Sequence, residues 1–137
     1  MYLLDTNICI YLLKNRYPAL SDKIMQVHPS ELAVSAVTVY ELEYGAAKSK
    51  WGERTRENLS LFLSGFEIVP FDASDAMAAA QIRAFLEEHG KSIGAYDIQI
   101  AAQGVSRGWI VVTHNTGEFC RVPGLTVEDW TMGETKE

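Results

Sequence analysis

The amino-acid sequence predicts an α/β fold: a three-layer α/β/α arrangement with a central, mainly parallel sheet of four to five strands. Two observations predict it. Short apolar runs rich in Val, Ile, Leu and aromatic residues recur along the chain, and longer segments with helical spacing separate them. Strands that are joined through helices pair in parallel and have helices on both faces. The length of 137 residues suits one such domain.

Five apolar runs are the predicted strands. Each is short and is bounded by polar or turn-forming residues, as buried strands are. In chain order they are residues 2–4, 32–34, 67–71, 109–113 and, more weakly, 125–127.

Six helix-like segments lie between these strands, in three consecutive pairs. They cover residues 5–14 and 19–27, then 37–48 and 54–66, then 74–89 and 96–107. The predicted helix starts are Asp5, Ser35, Asp72 and the Gly94-Ala95 turn, and the predicted stops are Gly90 and Gly108. Residues 1–130 form the predicted domain, and residues 131–137 form a short polar C-terminal tail.

Composition limits the classes of function. A net charge of −6 argues against a protein that coats nucleic acid through its overall field, but it leaves room for a nucleic-acid enzyme with a divalent metal. No stretch approaches the ~18 continuous apolar residues of a membrane span, and the N-terminus lacks a signal-peptide pattern. Cys9 and Cys120 form no metal-binding motif, so we expect free thiols in a cytoplasmic protein.

Two polar stretches stand where predicted strands end. Asp5 follows the first strand in "LLDTN", and Thr113 opens "THNT" at the end of the fourth strand. Ligand sites of open α/β sheets gather at the carboxyl ends of the strands, so these stretches are expected to share one crevice. The alternative for Asp5 is a helix N-cap, a position that Asp favours.

Two further acids lie on predicted helices. Glu41, in "TVYELEYG", stands beside an apolar helix face, and Gly45 one turn later suggests close packing there. Asp97, in "IGAYDIQIAA", lies in a first helical turn, where the helix dipole favours a carboxylate. Each acid also has an ordinary interpretation, as a solvated residue or a dipole partner. Together they suit a hard divalent cation, and without one they would raise each other's pKa.

These motifs together resemble a known family. "LLDTN", "TVYELEYG", "IGAYDIQIAA" and "VVTHNTGEF" occur in the order and spacing of the PIN-domain ribonucleases, more narrowly the VapC toxins of bacterial toxin–antitoxin pairs. The resemblance implies that Asp5, Glu41 and Asp97 are the catalytic acids. It implies that Asp5 and Asp97 hold Mg²⁺, for which Mn²⁺ can substitute.

The resemblance also assigns supporting positions. Thr6 and Asn7 match polar residues beside the first acid, and Thr113 matches a residue that orients the acids. Many relatives have Asp where Asn115 stands here, so this chain departs from a four-acid site. Asn115 still offers a neutral oxygen, and Glu118 is expected to supply the missing charge.

The implied function is that of a toxin endoribonuclease. Such enzymes hydrolyse phosphodiester bonds in structured RNA, several of them in tRNA and some in initiator tRNA. The implied partner is an antitoxin of the VapB type, whose C-terminal segment fills the groove and through which alone DNA would be contacted. The resemblance also implies a homodimer.

Other functions are weighed against this one. A PIN-like scaffold could bind RNA without cutting it. A phosphatase with Asp5 as nucleophile would usually show a DxD motif, but Asn7 stands at the third position. A receiver-like domain would use Asp72, yet no Lys follows the fourth strand. The basic residues Lys48, Lys50, Arg54 and Arg56 are either a solvated run or an RNA-binding rim, and His114 has no assigned role.

Overall fold

A five-stranded, wholly parallel sheet forms the centre of the computed structural model, which describes residues 1–132. Strands β1 to β5 are Tyr2–Leu4, Leu32–Ser35, Glu67–Val69, Ile110–Val112 and Thr126–Glu128. Their order in space is β3-β2-β1-β4-β5, and every neighbouring pair is parallel. From β1 the chain adds β2 and β3 on one side of the sheet, and then adds β4 and β5 on the other side. A crevice therefore opens beyond the carboxyl ends of β1 and β4.

Helices connect the strands and confirm the predicted α/β/α class. Helices α1 to α7 are Thr6–Leu13, Pro18–Gln26, Ala36–Lys48, Gly52–Leu63, Ala73–Glu88, Ala95–Arg107 and Thr116–Phe119, and a 3-10 turn spans Pro29–Glu31. In the described part of the chain, none of these helices has the length and apolar character needed to span a bilayer.

The sheet has a hydrophobic core on each face, because alternate residues of a strand point in opposite directions. Leu3, Ala33 and Val111 face one core, together with apolar residues of α5 and α6. Leu4, Val34 and Val112 face the other, together with residues of α1, α2 and α4. All six of these strand residues are fully buried. This is why the central strands appear in the sequence as continuous apolar runs rather than alternating ones.

Helix α6 approaches the sheet very closely at Gly104. A Cβ atom there would lie 2.7 Å from Val111 Cγ2 and 2.9 Å from Leu125 Cδ1. The sequence suggested such an approach at Gly45 instead, and that expectation is wrong, because nothing lies within 4 Å of a Cβ at that position. Gly104 thus fixes the depth of the helix that carries Asp97.

Most predicted limits shift by one to three residues, as for β4, predicted at 109–113 and found at Ile110–Val112, and β5, predicted at 125–127 and found at Thr126–Glu128. Two corrections have a clear physical cause or change the description of a segment. Strand β3 ends at Val69 and not at residue 71, since Pro70 has no N–H to donate to the sheet. The predicted polar loop after β4 contains helix α7, whose Phe119 is fully buried.

Only the beginning of the predicted C-terminal tail is described. Thr131, its first residue, is buried, and its N–H and hydroxyl both donate to Asp129 Oδ1, at 2.9 and 2.6 Å. Residues 133–137 lie outside the described residues, and the tail stays a prediction.

Candidate active site

Asp5 is held in place at the carboxyl end of β1. Its Oδ1 accepts a hydrogen bond from the Ile8 N–H at 2.8 Å, so Asp5 is the N-cap of α1. Its Oδ2 accepts a hydrogen bond from the Thr113 hydroxyl, and its own N–H donates to the Val112 carbonyl at 3.0 Å. The two interpretations of Asp5 are therefore compatible, because the capping carboxylate also lies at the end of two central strands.

Glu41 is tied to the residue that follows Asp5. The Thr6 hydroxyl donates to Glu41 Oε1 at 2.7 Å and lies 3.0 Å from the Thr38 hydroxyl. Helix α3, which carries Glu41, begins at the Ser35 cap, whose side chain accepts from the Val37 N–H at 3.0 Å. Thr6 is thus the link between the first acid and the second, and Thr38 supports it from one turn before Glu41.

The third and fourth acids come from α6 and α7. Asp97 is the third residue of α6, after the Gly94 cap, and its side chain makes no hydrogen bond with any described residue. Glu118 Oε2 accepts a hydrogen bond from Asn115 Nδ2 at 2.7 Å. The Asn115 N–H in turn donates to Thr113 Oγ1 at 2.9 Å. Asn115 is therefore connected both to Glu118 and, through Thr113, to Asp5.

The pKa values show that these four carboxylates share one environment. Burial raises the pKa of Asp5 to about 6, against the opposing hydrogen bonds from Thr113 and Ile8, and the charges of Asp97 and Glu41 raise it as well. Burial likewise raises the pKa of Asp97 to about 6, and the charges of Glu118 and Glu41 add to that rise. We call Asp5, Glu41, Asp97 and Glu118 the acid cluster.

No ion pair within the described part of the chain involves the acid cluster. All candidate ligand atoms are oxygens, and their charge is uncompensated, which is the chemistry that suits a hard divalent cation. In that same part of the chain, no three His, Cys, Asp or Glu side chains are close enough to hold a metal ion as they stand. The acids are thus gathered in one environment without forming a closed cage.

Two other residues named in the sequence have different surroundings. Asn7 is exposed, and within the described chain its side chain makes no hydrogen bond through which it would support Asp5. His114 Nδ1 lies 3.0 Å from Asp129 Oδ2 and 2.9 Å from the Thr131 hydroxyl. His114 therefore interacts with the residues that follow β5.

A second buried carboxylate, Asp75, lies between α5 and α6. It exchanges hydrogen bonds with Asp72 in a capping box, and the Arg107 guanidinium donates to both of its oxygens. Burial alone would raise the pKa of Asp75. The hydrogen bonds from Arg107, the Asp72 N–H and Gln103 outweigh burial and lower this pKa to about 2. The sequence predicted Asp72 as a helix start, but it gave no sign of the pair that Asp75 forms with Arg107, 32 positions later.

The arrangement of sheet and acids matches a known family. The PIN domain family matches this chain over residues 2–125. This range contains the whole acid cluster and all of the described elements up to α7. The chain therefore belongs to the PIN domain family.

Relatives within this family carry the VapC name. The tRNA(fMet)-specific endonuclease VapC of Shigella flexneri is 42% identical over 130 residues, which cover 95% of this chain and 98% of the relative. The structure of DNA-bound VapBC from Salmonella typhimurium superposes with a TM-score of 0.89 at 40% identity, over 94% of this chain and 97% of that one. VapBC2 from Rickettsia felis, bound to a promoter DNA fragment, gives a TM-score of 0.88 at 34% identity, over 94% and 98%. The resemblance seen in the four sequence motifs is confirmed.

Proposed function

We propose that this protein is a metal-dependent endoribonuclease that hydrolyses phosphodiester bonds in tRNA, and that it is the toxin of a VapBC-type pair in the cytoplasm. The observation that carries the proposal is the acid cluster beyond the carboxyl ends of β1 and β4, where the pKa values of Asp5 and Asp97 are raised. Among residues 1–132, no cationic side chain forms an ion pair with the acid cluster. The name of the Shigella relative supports the substrate, and the VapBC structures from Salmonella and Rickettsia support the partner.

Each residue of the candidate site has a separate role in the proposed reaction. Asp5 and Asp97 would hold Mg²⁺, or Mn²⁺ in its place; when bound, the cation supplies a water of lowered pKa and offsets phosphate charge. The Thr113 hydroxyl and the Ile8 N–H fix the orientation of Asp5. Thr6 fixes one oxygen of Glu41 and leaves the other free to accept a hydrogen bond from the attacking water.

A cavity beside the acid cluster supports the proposal of a protein inhibitor. It has a volume of about 490 Å³, lies between α1, α3 and α4, and reaches Glu41. Apolar side chains of Ile10, Leu13, Leu42 and Leu59 line much of it. An antitoxin segment with an apolar anchor and a terminal Arg or Lys would fill the cavity and neutralise the acids through charge-assisted hydrogen bonds. Any contact with DNA is then made by the antitoxin, and we also propose that the toxin is a homodimer.

Cleavage of purified tRNA tests the enzymatic proposal. With Mg²⁺ or Mn²⁺ the protein cuts the RNA, and EDTA stops the reaction. Asp97→Asn lowers the rate by about 100-fold or more, because it removes a proposed metal ligand that the fold does not need. Asp22→Asn, an exposed aspartate on α2, is the matched control and keeps the wild-type rate.

Two results would contradict the proposal. Undiminished cleavage by Asp97→Asn, with a circular dichroism spectrum like that of the wild type, would remove the acid cluster from the chemistry. Binding of tRNA without any cleavage would favour the alternative of an RNA-binding scaffold. Co-expression with the protein encoded by the neighbouring gene tests the partner: it restores growth and co-purifies, and failure of both would exclude it as the antitoxin.

A further inference from the structure

Exposed aromatic side chains are concentrated beside the acid cluster. Tyr40 immediately precedes Glu41 and is 56% exposed, and Tyr96 immediately precedes Asp97 and is 42% exposed. The two tyrosine rings meet edge to face, with centroids 5.7 Å apart and hydroxyl oxygens 3.5 Å apart. This pair therefore joins α3 to α6 directly next to two of the acids, with ring surface left open to solvent.

The aromatic surface continues along α3 away from the acids. Tyr44 follows Tyr40 by four residues, so the two lie on one face of the helix, and Lys48 follows by four more. Lys48 Nζ lies 5.0 Å from the centroid of the Tyr44 ring, and Lys50 Nζ lies 5.6 Å from the Trp51 ring. Tyr44 and Trp51 are 56% and 67% exposed. The result is a row of open rings that carry ammonium groups at their sides.

The end of this row away from the acid cluster is basic, opposite in charge to the molecule, although one of its cations, Arg56, lies 4.0 Å from Glu43. Residues 44–56 contain four Lys or Arg side chains and one Glu, whereas the whole chain has a net charge of −6 and 12 basic residues. An apolar protein partner would have to desolvate these ammonium groups. A nucleic-acid strand instead supplies phosphates to the cations and flat bases to the rings, as in proteins that bind single strands.

We propose that Tyr96, Tyr40, Tyr44 and Trp51, together with Lys48 and Lys50, form a base-stacking track that leads unpaired RNA nucleotides to the acid cluster. The proposal rests on the ribonuclease function proposed above. Stacking requires a base with a free face, so the track selects loops and single strands and rejects paired stems. It selects by pairing state more than by sequence, because every base has a face on which a ring can stack.

Binding measurements on the full chain test the track. The probes are a labelled RNA hairpin with an unpaired loop and a blunt duplex of equal length, and Asp97→Asn is present throughout so that the RNA stays intact. Tyr44→Leu and Trp51→Leu each weaken hairpin binding by about five- to ten-fold, whereas Tyr44→Phe and Trp51→Phe, which keep a ring, change it less than two-fold. Phe85→Leu, an exposed ring on α5, is the matched control and changes nothing.

The salt dependence of hairpin binding tests whether the lysines contact phosphates. Lys48→Gln lowers the slope of log Kd against log salt by about 0.7, the change expected for one lost phosphate contact on a single strand. Lys91→Gln, an exposed lysine after α5, leaves the slope unchanged.

Several outcomes would overturn the track and spare the ribonuclease. These are equal binding by the Leu and Phe variants, equal affinity of wild type for hairpin and duplex, or an unchanged salt slope for Lys48→Gln. A lower mass of the Leu variants in light scattering would show instead that this face joins two copies of the chain. Absence of tRNA cleavage by the wild-type protein would remove the proposed function itself, whatever the hairpin does.

Discussion

Asp5 and Asp75 are both almost fully buried, at 2% and 1% exposed, yet the pKa of one is raised to about 6 and that of the other is lowered to about 2. Asp5 is the N-cap of α1, Asp75 is the third helical residue in the capping box of α5, and both accept several hydrogen bonds. Burial raises the pKa of both, and the difference is what opposes it: the hydrogen bonds to Asp5 are outweighed by burial, whereas those to Asp75 include a guanidinium and outweigh it. Asp75 has the Arg107 guanidinium, and Asp5 has other carboxylates.

The contrast separates structural acids from functional ones in a single chain. A buried carboxylate that meets a guanidinium is complete within the fold, and its charge contributes to stability. A buried carboxylate among like charges costs stability until a cation or a proton arrives. The second arrangement persists where a ligand supplies the missing charge, and for that reason the acid cluster rather than Asp75 is assigned the chemistry.

The largest effect on stability is expected at the buried ion pair between Asp75 and Arg107. Asp75→Asn leaves the Arg107 guanidinium, 22% exposed, without its charge partner and lowers the free energy of unfolding by about 2–3 kcal/mol at pH 7. Urea denaturation measures this loss. Asp22→Asn changes the same free energy by less than about 0.5 kcal/mol. A loss that small for Asp75→Asn would show that Arg107 is solvated just as well without its partner.

The two aspartates give opposite pH dependences. The pKa of Asp5 is about 6 in the folded protein and 3.8 in the unfolded chain. The free energy of unfolding of the metal-free protein therefore rises by about 2 kcal/mol as the pH falls from 6 to 3.8. Asp75 is protonated near 3.8 when unfolded and near 2 when folded, so its contribution is lost below about pH 4. Unfolding in EDTA at a series of pH values should show a maximum near pH 4. A steady decline from pH 7 would contradict the raised pKa of Asp5.

A graded change of charge at position 118 tests the coupling inside the acid cluster. Glu118→Gln removes the charge and keeps an oxygen for the Asn115 amide, so the pKa of Asp97 falls by about half a unit to one unit. Glu118→Lys lowers it further and stabilises the metal-free fold by about 1 kcal/mol. Side-chain carboxyl ¹³C shifts, recorded against pH, report the pKa of Asp97 directly. Identical titration curves in all three proteins would place Glu118 outside the cluster.

The smallest effect is expected at position 115, where the sequence resemblance implies an acid in many relatives. Asn115→Asp sets a carboxylate where an amide now donates to Glu118 at 2.7 Å, so the added charge tightens Mn²⁺ binding by about three- to ten-fold. Calorimetric titration compares this variant with the wild type and with Asn15→Asp, an exposed change at the end of α1. Two tight sites in the wild type, or equal affinities in all three proteins, would show that position 115 does not control metal binding.

The fold was largely predictable from the sequence because its signals are local. The central strands β1 and β4 are apolar runs, as is β2 up to Ser35. The caps at Asp5, Ser35, Asp72 and Gly94 and the stops at Gly90 and Gly108 are found where the sequence placed them. Helix α7 escaped prediction because four residues are too few to show a helical period. The sequence pointed to Gly45 and not to Gly104 as the site of close helix packing, because such packing depends on the side chains opposite the helix, which no local pattern reports.

The sequence could name the residues of the candidate site, but not the contacts among them. Motif order and the rule of strand ends placed Asp5 and Thr113 in one crevice, and the Thr113 hydroxyl does donate to Asp5. The sequence assigned Thr6 to the first acid, yet its hydroxyl holds Glu41, 35 positions later. Such pairs are set by side-chain direction across two elements, and a single sequence carries no record of that direction.

The hydrogen bond from Thr113 to Asp5 also sets a time for the appearance of the site. It joins residues 108 positions apart, and β1 forms its second set of sheet hydrogen bonds only with β4. A ribosome delivers the chain from its N-terminus. A nascent chain therefore carries Asp5, Glu41 and Asp97 before it carries the strand that orients the first of them. In the proposed toxin, the full set of contacts that orients Asp5 would thus form only after β4 and Thr113 have been released.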